Sequence, residues 1–173
     1  GDEIGIVVAG LGIDGRGYVL QDRTQVGSKG PLNWGRVTVA AYNDYRADRI
    51  VAEKNFGGDM VASNILVAAS EGDGNGAGPR RQVRVPVKLI TSSRGKQVRA
   101  EPVAALYEDG LVDHVGTFPE LESEMTGWVP GDKDSPNRMD ALVFALTELM
   151  LTPGVDVRIW YAGMEEPEQA RST

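Results

Sequence analysis

The chain contains no cysteine and a single histidine, His114. The lack of cysteine excludes disulfides and thiolate metal sites and makes an intracellular setting the default expectation. With one histidine, any metal site has to be built mainly from oxygen, which favours magnesium or manganese over zinc. No apolar run approaches the ~20 residues that a membrane span needs, and no secretory leader is legible at the start. What remains is a chain of 173 residues, 41% hydrophobic and 25% charged, which reads as one soluble globular domain with a real core.

The net charge of −7 argues against nucleic acid as a partner. Its distribution argues the other way. Between Pro79 and Ala100 stand Arg80, Arg81, Arg84, Lys88, Arg94, Lys96 and Arg99 with no acid among them, while Glu165, Glu166 and Glu168 load the C-terminus. The basic segment is suited to a local phosphate-binding surface on an otherwise acidic body.

Periodicity gives an order of elements. Ile4–Leu11 is apolar and β-branched and reads as a buried strand, turned at Asp14-Gly15 into a returning strand over Gly17–Leu20. Pro31–Tyr45 reads as a helix with Trp34, Val37, Ala41 and Tyr45 on one face. Ile50–Ala52 is the next strand and 59–69 the next helix, ended by Ser70 and a loop that includes the glycine-rich stretch 72–79. That stretch lacks the Gly-Lys-Ser/Thr ending of a phosphate loop and reads as a flexible connection. Val85–Ile90 is a strand with Pro86 at its start or on an edge. Pro102–Glu108 reads as a short helix with Pro102 in its first turn and Gly110 beyond its end, and Leu111–Val115 as a short strand. The last helix is capped by Ser135, starts at Pro136, and carries Met139, Leu142, Val143, Leu146, Leu149 and Met150 as its stripe. This order predicts an α/β domain with a mixed sheet and helices on its faces, over residues 1–162, with a flexible loop at 71–80 and a disordered tail at 163–173.

Two acids stand out. Arg49-Ile50-Val51-Ala52-Glu53 runs through a core and delivers a carboxylate at the strand tip, just before Gly57-Gly58. Asp140 lies near the start of the last helix, on the margin of its apolar stripe, where it can serve a site or simply the helix dipole. Asp2, directly before the first strand, is a third candidate. Asp59 reads as a helix cap, His114 as a structural or surface histidine, and Trp34, Trp128 and Trp160 as packing residues. Gathered carboxylates can hold a pair of divalent cations about 4 Å apart, suited to cutting a phosphodiester. Arg94-Gly95-Lys96, on a loop between strand and helix, suits backbone phosphates or is an ordinary solvated turn.

The ordered set of Asp2–Gly10, Ala47–Asn55 with Gly57-Gly58-Asp59-Met60, Ser93–Lys96 with Arg99–Glu108, His114-Val115-Gly116, Phe118–Glu122 and Ser135–Val143 resembles the nuclease domain of the large terminase subunit of tailed bacteriophages. The resemblance spans residues 2 to about 150. It implies a ribonuclease H-like fold and an endonuclease dependent on a two-metal Mg2+ or Mn2+ site. Such enzymes cut concatemeric double-stranded viral DNA when packaging starts and when the head is full, in the cytoplasm of the infected bacterial host. Glu53 matches the family's second acid and Asp140 its third, while Asp2 matches an accessory acid. The first acid belongs to a first core strand expected just upstream of Asp2, so the fold is expected without that strand. Arg94, Lys96 and Arg99 are expected to contact DNA. In the whole protein the partners implied are an ATPase domain, the portal and the small terminase subunit, with no membrane; the isolated domain is expected to be monomeric. The alternatives are a catalytically silent docking module of the packaging motor, or another ribonuclease H-like nuclease such as a junction resolvase or hybrid nuclease.

Overall fold

A computed structural model describes residues 3–26, 30–54, 60–71, 84–132 and 136–153. In chain order the strands are β1 (Glu3–Ile4), β2 (Val7–Leu11), β3 (Gly17–Asp22), β4 (Gln25–Val26), β5 (Ile50–Glu53), β6 (Val87–Ile90) and β7 (Val112–His114). The helices are α1 (Pro31–Asp44), α2 (Met60–Glu71), α3 (Lys96–Glu108), α4 (Pro119–Gly127) and α5 (Asn137–Leu146), the last running on as a π-helical turn over Thr147–Leu151. Among the described residues no helix is long and apolar enough to cross a membrane.

β2 and β3 form the expected antiparallel hairpin, and β7 joins the far edge of β3 in parallel, giving a mixed three-stranded sheet. β5 and β6 form a separate parallel pair, and β1 pairs with β4. The strand expected over Ile4–Leu11 is therefore two strands, and it is half-buried rather than buried. The break has a local cause. The Ile6 N–H is taken by the Thr24 hydroxyl at 3.2 Å, off the ladder. Gly5 meanwhile lies so close to the start of α5 that a Cβ there would stand 2.0 Å from the Asn137 carbonyl oxygen. Only glycine permits this approach, which seats the first turn of α5 against the β1–β2 junction.

Three helical expectations are corrected. α3 begins at Lys96, with Pro102 inside it rather than in its first turn. Proline forfeits one backbone bond, and here the exposed outer face of the helix tolerates it. α4 was not foreseen. Its Pro119 start and early Glu120 and Glu122 are good N-terminal signals, but Leu121 alone is buried, so the apolar period is faint. Pro136 stands at the N-cap of α5 rather than at its first position, and Ser135 lies outside the described residues. The Met139 N–H is instead satisfied by the Glu124 carboxylate of α4 at 3.0 Å. β6 starts after Pro86, whose carbonyl accepts the Ile50 N–H at 2.8 Å. α1 turns Trp34, Ala41 and Tyr42 inward, while Tyr45 lies past its end and stays exposed.

Two buried clusters result. The larger joins Val19, Val103, Val112, Leu121, Met139, Leu142, Val143 and Leu146, hence β3, β7, α3, α4 and α5, with Trp128 packed against it. The smaller joins Ile65, Ala69 and Val85, flanked by Trp34, Tyr42, Ile50 and Val87, hence α1, α2 and the β5–β6 pair. Trp160, the 72–79 stretch and residues 163–173 lie outside the described residues.

Candidate active site

Glu53 ends β5, in register with Ile90 at the end of β6. The two strands are parallel, so both release their loops at the same carboxyl edge, the place where open α/β sheets build sites. The loop after β6 passes Thr91–Gly95 and enters α3 at Lys96. Its early start places Lys96 and Arg99 one helical turn apart, over the tip of β5. α5 brings Asp140 to the same point from the other cluster.

The two acids meet across one guanidinium. Arg99 Nη1 lies 3.4 Å from Glu53 Oε1, and Arg99 Nη2 lies 3.7 Å from Asp140 Oδ1. Lys96 Nζ lies 2.7 Å from Asp140 Oδ2. Arg99 also donates to the Ser92 hydroxyl and stacks 4.8 Å over the Phe144 ring. Its Nε is buried with no hydrogen-bond partner among the described residues, a defect that costs about 1–3 kcal/mol. Glu53, Asp140, Lys96 and Arg99 sum to zero charge.

This meeting point opens on a cleft of about 1330 Å³ between the edge of β2 and the edge of β5. Among the described residues, β2 pairs on one side only, with β3, and β5 on one side only, with β6. α5 presents Asp140, Phe144 and, through the π-helical turn, Glu148 along the cleft. Glu148 is 7% exposed and takes Arg49 Nη1 at 3.0 Å and Lys88 Nζ at 2.6 Å. Two cations around one buried acid offset its desolvation and tie the helix to β5 and β6. Phe144 and Glu148 escaped the sequence reading. The available signal was their spacing, four and eight residues beyond Asp140.

The basic segment is therefore not a uniform solvated surface. Lys88, Lys96 and Arg99 turn inward onto carboxylates, which the fold sets within reach of them, whereas Arg84 and Arg94 are exposed. Arg80 and Arg81 lie outside the described residues, as do Asp2 and Asp59. His114 is held in the interior of a small relay. The Tyr107 hydroxyl is 2.8 Å from its Nε2, and its Nδ1 is 3.0 Å from Glu122 Oε1, which also accepts the Phe118 N–H at 3.1 Å. Burial pushes the Tyr107 phenol well above its usual value, so its O–H donates to Nε2 and the histidine N–H donates to Glu122. The hydrogen bond from His114, with that from Phe118, holds the Glu122 carboxyl below its usual range.

Among the described residues no group of three or more His, Cys, Asp or Glu is placed to hold a metal. Glu53 and Asp140 are nevertheless hard oxygen donors from two separate elements that converge on a cation, here a guanidinium. That donor set fits magnesium or manganese, whose remaining ligands would come from water, substrate or a further acid.

The fold is α/β, with a mixed three-stranded sheet, a separate parallel pair and five helices, and its class is ribonuclease H-like. The family model described as terminase RNaseH-like domain matches residues 1–151, and the chain belongs to that family. It is a nuclease-type terminase module. No curated protein and no solved structure matches the chain.

Proposed function

We propose that the chain is a divalent-metal-dependent endodeoxyribonuclease that cuts concatemeric double-stranded DNA to make genome ends during viral packaging in the bacterial host. The observation that supports this most is the convergence of Glu53 and Asp140 on one positive charge at the carboxyl edge of β5 and β6. Mg2+ or Mn2+ bound there would polarise the phosphodiester and supply the activated water. Glu53 and Asp140 would hold the cations, with Asp2 assisting. In this reading the aspartate of a first core strand completes the set, and the facing edges of β2 and β5 are suited to receive such a strand by backbone bonding. Arg94, exposed on the loop, would hold the DNA backbone, with Lys96 and Arg99 joining it once they are released from the acids. The ATPase domain, portal and small subunit are its partners in the motor.

The test is nicking of supercoiled plasmid in Mn2+ or Mg2+. The parent protein should nick, and Glu53→Ala and Asp140→Ala should fall to background; equal nicking by all three removes these residues from the mechanism. The second reading, a silent docking module, is favoured by one observation: Lys96 and Arg99 already neutralise both acids. A silent module gains no thermal stability from Mn2+, whereas a metal site does.

A further inference from the structure

α3 carries a local conflict. Its first turn has no acidic residue and no side-chain cap, yet it holds Lys96 and Arg99. Cations at a helix N-terminus oppose the helix dipole. A sequence that breaks a local rule this way does so for something beyond its own helix. Both cations contact the acids, and the contacts of Arg99 to them are long. Arg99 reaches the acids at 3.4 and 3.7 Å with its Nε unsatisfied among the described residues, longer than the ~2.7–2.9 Å of a well-made charge-assisted bond. Lys96 makes a short contact of 2.7 Å to Asp140, but its side chain is 34% exposed, so it has a path outward.

We infer that Lys96 and Arg99 are built-in counter-ions of the carboxylate pair, which yield to a divalent cation and then turn to DNA phosphate. The inference rests on reading Glu53 and Asp140 as metal ligands. Its logic is charge balance. With the two cations in place the four side chains sum to zero, so the acids stay close without mutual repulsion. Entry of a divalent cation brings the group to +2, and two phosphates of a DNA backbone taken by the displaced ammonium and guanidinium would restore balance. Metal and DNA should then strengthen one another's binding, and by linkage the coupling is reciprocal. Metal alone would be held weakly, and the site would load fully only with DNA present.

The experiment measures Mn2+ affinity by calorimetry on the metal-free protein without DNA, for the parent, Lys96→Met, Arg99→Met and the charge-conserving Lys96→Arg. Arg99→Met keeps an apolar stem on Phe144, and Lys96→Met stands at a partly exposed position. A melting curve without metal checks that each is folded. The two Met variants should bind Mn2+ about three- to tenfold more tightly than the parent, since a nearby positive charge is gone, and Lys96→Arg should match the parent. With Ca2+ in place of Mn2+, the gain in duplex affinity conferred by the metal, read by fluorescence anisotropy, should shrink in the Met variants. If the parent binds Mn2+ and the Met variants bind it equally or more weakly, the two cations only position the acids and the inference is overturned, while the reading of the site stands. If neither parent nor variants bind Mn2+, both fall.

Discussion

A single histidine does structural duty at the residue scale, and its chemistry gives a sign to the pH response. Glu122 accepts from both His114 and the Phe118 N–H, which join β7, α4 and, through Tyr107, α3. Its carboxyl is held below the usual range, first by the His114 hydrogen bond and then by that of Phe118. A group with a depressed folded pKa contributes stability that is present above its unfolded pKa and lost as pH falls through the folded one. The parent should therefore melt a few degrees above Glu122→Gln at neutral pH, and the gap should close between about pH 5 and 3. Thermal melts of both proteins across that window check it, and a gap that widens in acid would refute the assignment. The sequence reads His114 as a structural or surface histidine, and the fold half-buries it between Tyr107 and Glu122. That Tyr107 and Glu122 flank it was not legible, since three separate elements have to fold before they meet.

Elements were legible in proportion to how much their signals are local. α1 begins at its proline, and Met139, Leu142, Val143 and Leu146 line the buried side of α5 as their spacing predicts. Glu53 stands at the strand tip where the apolar run ends. α3 misled because a proline that fits a first turn also fits an exposed interior position, and that misreading left Lys96 and Arg99 on a loop instead of a helix. The capping of α5 was out of reach for another reason: its donor is answered from α4. Glu124 accepts the Met139 N–H at 3.0 Å and shares Arg138 with Glu3 and Asp22, so one carboxylate both caps the helix and joins a half-buried cross-brace. Glu124→Ala should cost about 1–2 kcal/mol in urea denaturation, with Glu124→Gln, which still offers an oxygen to the helix, losing less. A loss below about 0.5 kcal/mol would mean that the start of α5 is held by packing at Gly5 alone.

On the scale of the whole molecule, Glu53 and Asp140 belong to different cores. Glu53 rides on β5, whose Ile50 packs on the smaller cluster, and Asp140 rides on α5 in the larger. The Arg99–Glu53 pair and the Glu148 pairs with Arg49 and Lys88 cross between the two clusters beside the cleft. Among the described residues the smaller cluster has three buried residues against eight in the larger, so it should open more readily. Amide hydrogen exchange should accordingly be faster in α2 and β5 than in β3 and α5. A divalent cation shared by Glu53 and Asp140 would bridge the two halves and stabilise the weaker one. At a hundredfold excess over its dissociation constant the gain is about 2.7 kcal/mol, or about a hundredfold slower exchange for amides that open only when the halves part. The slowing should be largest in β5 and the first turns of α3, and absent in Glu53→Ala. Uniform exchange across both halves would show that the clusters open as one. A Mn2+ effect confined to α5 would show that the cation binds Asp140 without reaching Glu53.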